Sequence, residues 1–141
     1  MTQASIKGFN QVKNNLAREV QNLKTKSMKG LITAAAFIRN DMEKTPPLIP
    51  VDTGNLRASW FTTTFTRDGN PLLIMGFNAN YALWVHENVD ADFTSVRVRY
   101  RNGKKKKYKP RPGAGAKFLE ACLNRNHDEI LRIIAGETKI F

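Results

Sequence analysis

Three groups of residues have the types and spacing to do chemistry. Asp52-Thr53-Gly54 is the string on which aspartic proteases hold their carboxylate, and Leu73-Ile74-Met75-Gly76 imitates the apolar segment that supports such a loop. That segment follows the aspartate by only about 20 residues, too few for the strands of a protease barrel. In a proline-bounded loop an aspartate instead accepts backbone N–H bonds as a turn or helix cap. His86-Glu87 has acid and base types, but adjacent residues point apart on a helix or a strand, and no nucleophile stands out to complete a set. Cys122 falls on the apolar side of a helical pattern, which suits a core thiol. One cysteine cannot form an internal bridge, and with His86 and His127 it does not reach zinc-ligand spacing. No phosphate-binding or dinucleotide glycine pattern occurs. The expectation is a protein that is not an enzyme and uses no cofactor or metal.

The third group is basic. Between Arg97 and Arg111 lie Arg97, Arg99, Arg101, Lys104, Lys105, Lys106, Lys107, Lys109 and Arg111, nine cations with no acid among them. The chain has a net charge of +11, yet without this segment fourteen cations stand against twelve acids, a net of +2. The charge therefore marks a local contact. Val96, Val98 and Tyr100 alternate with the arginines, and Asn102-Gly103 is a tight-turn dipeptide, so the segment reads as a hairpin. A two-residue turn sets Arg101 opposite Lys104, Arg99 opposite Lys106 and Arg97 opposite Tyr108. The two like-charged pairs weaken the ladder, and the third offers a cation–π contact. Such a ribbon gains little by folding alone: it suits a DNA backbone or an acidic protein face, or it stays a solvated loop.

The elements that must hold these residues follow from periodicity. Ile6, Phe9, Val12, Leu16, Val20, Leu23, Leu31, Ala35, Ile38 and Met42 recur at threes and fours, which predicts a long amphipathic helix, with a kink or break near Ser27 and Gly30. Pro46, Pro47 and Pro50 end it, and a loop runs over 45–55. Residues 60–66 and 72–77, joined by Arg67-Asp68-Gly69-Asn70, predict an antiparallel hairpin. Residues 81–87 form a third element, helix or strand. Gly113-Ala114-Gly115 reads as a flexible joint before a helix over about 116–135. That helix has Phe118, Leu119, Cys122, Ile130, Ile133 and Ile134 on its buried side, a second capped turn possible at Asn126, and Gly136 as C-cap. The expected fold is α+β: a long N-terminal helix, a small antiparallel sheet with a protruding basic hairpin, and a C-terminal helix packed on the sheet.

Length and composition agree with one domain over 1–141, with the basic hairpin an insertion at about 89–115. No apolar run approaches the ~20 residues of a membrane span, and the first residues lack the basic flank and apolar core of a secretory signal. The expected setting is a cytoplasm or something assembled there, with no membrane partner.

Three segments in order carry a resemblance. They are Pro50-Val51-Asp52-Thr53-Gly54-Asn55-Leu56-Arg57-Ala58-Ser59, then Met75-Gly76 with Tyr81-Ala82 and Val85-His86-Glu87, and finally Lys117-Phe118-Leu119-Glu120-Ala121-Cys122-Leu123. Together they resemble the tail-completion, or head–tail joining, proteins of long-tailed bacteriophages, also described as neck or minor capsid proteins. The chain differs from that pattern in Glu87-Asn88-Val89, in Lys117, and in extra residues around Leu48-Ile49. The resemblance implies a structural loop of Asp52, Thr53, Gly54, Leu56 and Arg57, with Asp52 as turn acceptor, Gly54 for backbone geometry and Arg57 available to a carboxylate such as Glu87. It also implies a ring of identical copies in the virion, made in the host cytoplasm, between neck or connector proteins and the tail tube or its terminator. The basic hairpin would then meet genome DNA in the channel or a neighbouring ring.

Overall fold

The computed structural model describes residues 4–108 and 110–139, with residues 4–7 and 108 described as backbone only. Lys109, one of the nine clustered cations, lies outside the described residues, as do the side chains of Ile6 and Tyr108. Eight elements follow in order: α1 (Ala4–Lys44), α2 (Asn55–Ala58), β1 (Trp60–Arg67), β2 (Asn70–Phe77), α3 (Ala82–Glu87), β3 (Arg97–Arg101), β4 (Lys104–Tyr108) and α4 (Phe118–Thr138). The class is α+β, with a long N-terminal helix, two antiparallel hairpins, and a C-terminal helix packed against the N-terminal one.

Both hairpins turn on a residue pair with positive φ, Asp68-Gly69 at 51° and 76° and Asn102-Gly103 at 52° and 70°. That geometry matches the twist of the strands and explains why these dipeptides sit there. In the second hairpin Arg97 pairs with Tyr108, Arg99 with Lys106 and Arg101 with Lys104, the register the two-residue turn requires. The two ribbons remain separate sheets. A two-stranded ribbon is too narrow to cover a 21-residue helix. Accordingly α4 lies along α1 and meets the first hairpin at its own N-terminal end, where Phe118 stands edge-on to Phe77 with centroids 5.5 Å apart.

No break interrupts α1, which runs as one helix for 41 residues. Gly30 serves another purpose: a Cβ there would stand 3.0 Å from the carbonyl oxygen and 3.1 Å from the Cα of Ile134. The missing side chain, with the buried Ala34 and Ala35, lets α1 and α4 approach closely. α4 also runs through Asn126 without a second start and through Gly136 to end at Thr138. The ambiguous 81–87 element is helical, α3.

The core is small: Ile38 and Met42 from α1, Ile49 from the proline loop, Leu56 from α2, Val85 from α3, and Phe118 and Cys122 from α4. All three segments that carry the resemblance contribute to it. Gly113-Ala114-Gly115 is a strap rather than a joint. Leu48 N–H donates to the Gly113 carbonyl at 2.8 Å, Gly115 N–H donates to the Leu48 carbonyl at 3.2 Å, and Ala114 is buried. Replacing Gly30 with leucine should force α1 and α4 apart and lower stability by about 1–3 kcal/mol, read as a lower urea midpoint. Gly8→Leu, at a position with open space around it, should leave the midpoint unchanged.

Candidate functional site

The end of α1 sets two carboxylates where the helix dipole disfavours them, so cations must gather there. Around Glu43 stand three arginines. Arg57 Nε donates to Oε1 at 2.9 Å and Arg111 Nη2 donates to Oε2 at 2.7 Å. Arg39 Nη1 lies 2.7 Å from Oε1, and its other nitrogen donates to the Arg57 carbonyl at 2.9 Å. Arg111 also donates to the carbonyls of Glu43 and Ile49. Two residues earlier, on another side of the helix, Asp41 accepts from Arg125 Nε at 2.9 Å, Asn126 at 2.8 Å and Thr45 at 3.0 Å. Partial burial pushes both carboxyls upward, but these donors outweigh it and hold both below their ordinary values. Arg39 is lowered, chiefly by burial and then by the neighbouring Arg57 and Arg111 against the pull of Glu43.

This cluster corrects two expectations. Arg57 finds its carboxylate in Glu43 and not in Glu87, which is engaged by Lys117 and His86. Arg111, counted among the contact cations, turns inward with a side chain only 18% exposed and anchors the returning loop.

The Asp52 loop borders a cleft of about 330 Å3 between residues 50–56, α3 and the base of the second hairpin. Tyr81, Trp84 and Phe93 give it aromatic walls, and Arg97 and Arg99 close one side. Gly54 has φ +83°, as its geometric role requires. Asp52 is not the turn acceptor: its Oδ2 is ion-paired with Arg99, and Oδ1 is buried and takes no hydrogen bond from the described residues. Thr53 Oγ1 accepts the Asn55 N–H at 3.4 Å. The turn-acceptor role falls to Asp92, which takes the N–H groups of Thr94 at 2.7 Å and Ser95 at 3.1 Å and is held low by the Thr94 hydroxyl and backbone. An aspartate followed two and three residues later by Thr and Ser is an Asx signal legible in the sequence. Leu56, by contrast, is buried in the core.

His86 and Glu87 do meet, contrary to expectation, with Nδ1 2.6 Å from Oε1. At the end of the six-residue α3 their side chains converge beside α4. Nε2 accepts the Glu120 N–H at 3.4 Å, so Nδ1 carries the proton and donates to Glu87. The imidazole thus caps α4's first turn, with its ring edge-on to Phe118 at 4.9 Å. Glu87 is ion-paired with Lys117, which holds the acid low and the amine high. Cys122 is wholly buried, and burial with the nearby Asp41 pushes its thiol up to about 11.

The remaining cations of the second hairpin divide by their position along the ribbon, base against tip. Arg97 and Arg99 face the body, Arg97 with its guanidinium 5.9 Å from the Phe93 ring centroid and donating to the Asp92 carbonyl. Arg101, Lys104, Lys105, Lys106 and Lys107 are exposed at the tip, and no ion pair to them occurs among the described residues. Among the described residues no three His, Cys, Asp or Glu side chains gather as a metal set, and no helix is long and apolar enough to cross a membrane. Comparison of the chain with protein-family models, curated proteins and solved structures finds no match.

Both depressed carboxyls bind protons more weakly folded than unfolded. The stability they contribute is full above the ordinary carboxylate range and is lost as pH falls through the lowered folded values. Glu43→Gln should cost about 2–3 kcal/mol at neutral pH and flatten the loss of stability below about pH 4, measured by denaturant melts across pH.

Proposed function

We propose that the chain is a non-enzymatic structural protein of a long-tailed bacteriophage, which assembles as a ring at the head–tail junction and completes or connects the tail. Its partners are its own copies, the neighbouring neck or connector proteins, and the tail-tube or terminator protein. The observation that carries this reading is convergence: the three segments of the resemblance, separated in sequence, supply Leu56, Val85, Phe118 and Cys122 to one core. The residues with catalytic types are engaged structurally, Asp52 by Arg99, His86 in capping and Cys122 in the core. Electron microscopy of virions and tail intermediates with a labelled chain should place the label at the junction. Absence from both would overturn the proposal.

A second reading, a small nucleic-acid-binding protein, is favoured by the exposed cations of the hairpin tip. It predicts a salt dependence set by the five described tip cations: a slope of log affinity on log salt near 4–5, where all nine would give about 8. Replacing Lys104 to Lys107 with serine should lower it to about 1, measured on duplex DNA by fluorescence anisotropy. An unchanged slope would reject the hairpin as the contact.

A further inference from the structure

The first half of α1 extends beyond the body. Contacts with the rest of the chain begin near Lys24, whose Nζ approaches Gly69, and Lys26, which reaches the Lys139 carbonyl. Every residue from 8 to 22 is exposed. Yet the apolar stripe continues there unbroken: Phe9 is 68% exposed and Leu16 61%, with Val12 and Val20 between and beyond them. It is the same helix face that α4 and the first hairpin cover farther along.

The first hairpin carries a second uncovered apolar face. Its inner side, Trp60, Met75 and Phe77, packs on the core. Strand alternation sends Phe65, Leu72 and Ile74 to the other side, and all three are exposed, Ile74 at 45%. A two-stranded ribbon bare on one face is marginal and calls for a cover.

We propose that the overhanging half of α1 in one copy lies across the outer face of the first hairpin in the next copy. The inference rests on the ring reading and names its interface. Four observations select this occupant. Residues 8–23 measure about 24 Å at ~1.5 Å per residue, and the eight-residue strands measure about 26 Å, so the two surfaces match in length. The seven apolar side chains expose on the order of 600 Å2, about half of the ~1,200 Å2 at which specific interfaces begin, and the polar residues flanking them on the two surfaces supply the rest of the contact. Thr63 shares the patch's face and carries no charge, and the charges at the hairpin's end, Arg67 and Asp68, are paired with each other. Pairing two overhangs would set the Lys13 of each copy on one rim and leave the hairpin bare. The helix's polar side, Asn10, Gln11, Asn14, Asn15, Gln21 and Asn22 around the single Arg18, lacks the lysine density of a membrane-surface helix. Helix-on-hairpin contact is heterologous, so repetition closes a ring when the rotation allows.

The test uses two full-length variants, Leu16→Cys and Ile74→Cys, one with a mass tag, in which native Cys122 stays buried. They are mixed dilute, concentrated, and treated with a short bismaleimide, after circular dichroism has verified the fold of each. The expected product is a cross-link between the two variants, absent when either is treated alone. Leu16→Glu should reduce the light-scattering mass from oligomer to monomer with an unchanged circular dichroism spectrum. Cross-linking of Leu16→Cys to itself would overturn the proposal in favour of paired helices. An oligomer that forms without the mixed cross-link would overturn this interface and leave the ring standing. A monomer at every concentration would overturn the self-contact, while the virion micrographs judge the head–tail reading separately.

Discussion

Glu43 is the constraint on which the rest of the molecule depends. A carboxylate near a helix C-terminus opposes the helix dipole and is tolerated when cations surround it. Here the cations come from three places: Arg39 on α1 itself, Arg57 on α2, and Arg111 in the loop that returns from the second hairpin. One side chain thereby ties the proline loop, the short helix and the hairpin's exit to the end of α1. Asp41, two residues back, does the same for α4 through Arg125 and Asn126. The apolar core is modest, and these charge-assisted contacts decide how its contributors are angled.

Local chemistry made much of the fold legible. The turn dipeptides at 68–69 and 102–103 announced both hairpins and the register of the second, because two-residue turns leave no freedom in pairing. The stripe over α1 was equally plain. Interactions between distant residues were not. Gly30 has the same letter whether it kinks a helix or admits a neighbour, and only the backbone of Ile134 decides. The partners of Arg57 and Arg111 depend on which loops return to α1. Gly113 to Gly115 looked flexible because nothing local shows Leu48 waiting to bridge them. Leu48 and Ile49, extra residues in the loop, proved to be the bridge and part of the core.

The basic segment shows how a charge count and a contact surface differ. The nine clustered cations have unlike tasks. Arg111 is a structural anchor, Arg99 pairs with Asp52, and Arg97 lies over Phe93. Arginine holds these inward places because its planar fork bonds carbonyls and carboxylates together, while the lysines, strongly hydrated, collect at the tip. Val98 and Tyr100 lie on the face away from the arginines and are exposed, so the tip presents apolar as well as cationic character.

The continuity of α1 has an energetic consequence for whatever meets its free half. A detached peptide of residues 8–23, rich in Asn and Gln, would have to nucleate a helix and would be mostly unfolded. Attached to a half held by α4, it needs only propagation, each turn growing from the one already packed. A partner therefore meets a helix already ordered and is spared most of the backbone entropy that coupled folding would charge against affinity. The cost has been met inside the body, by the packing around Gly30 and the cations around Glu43.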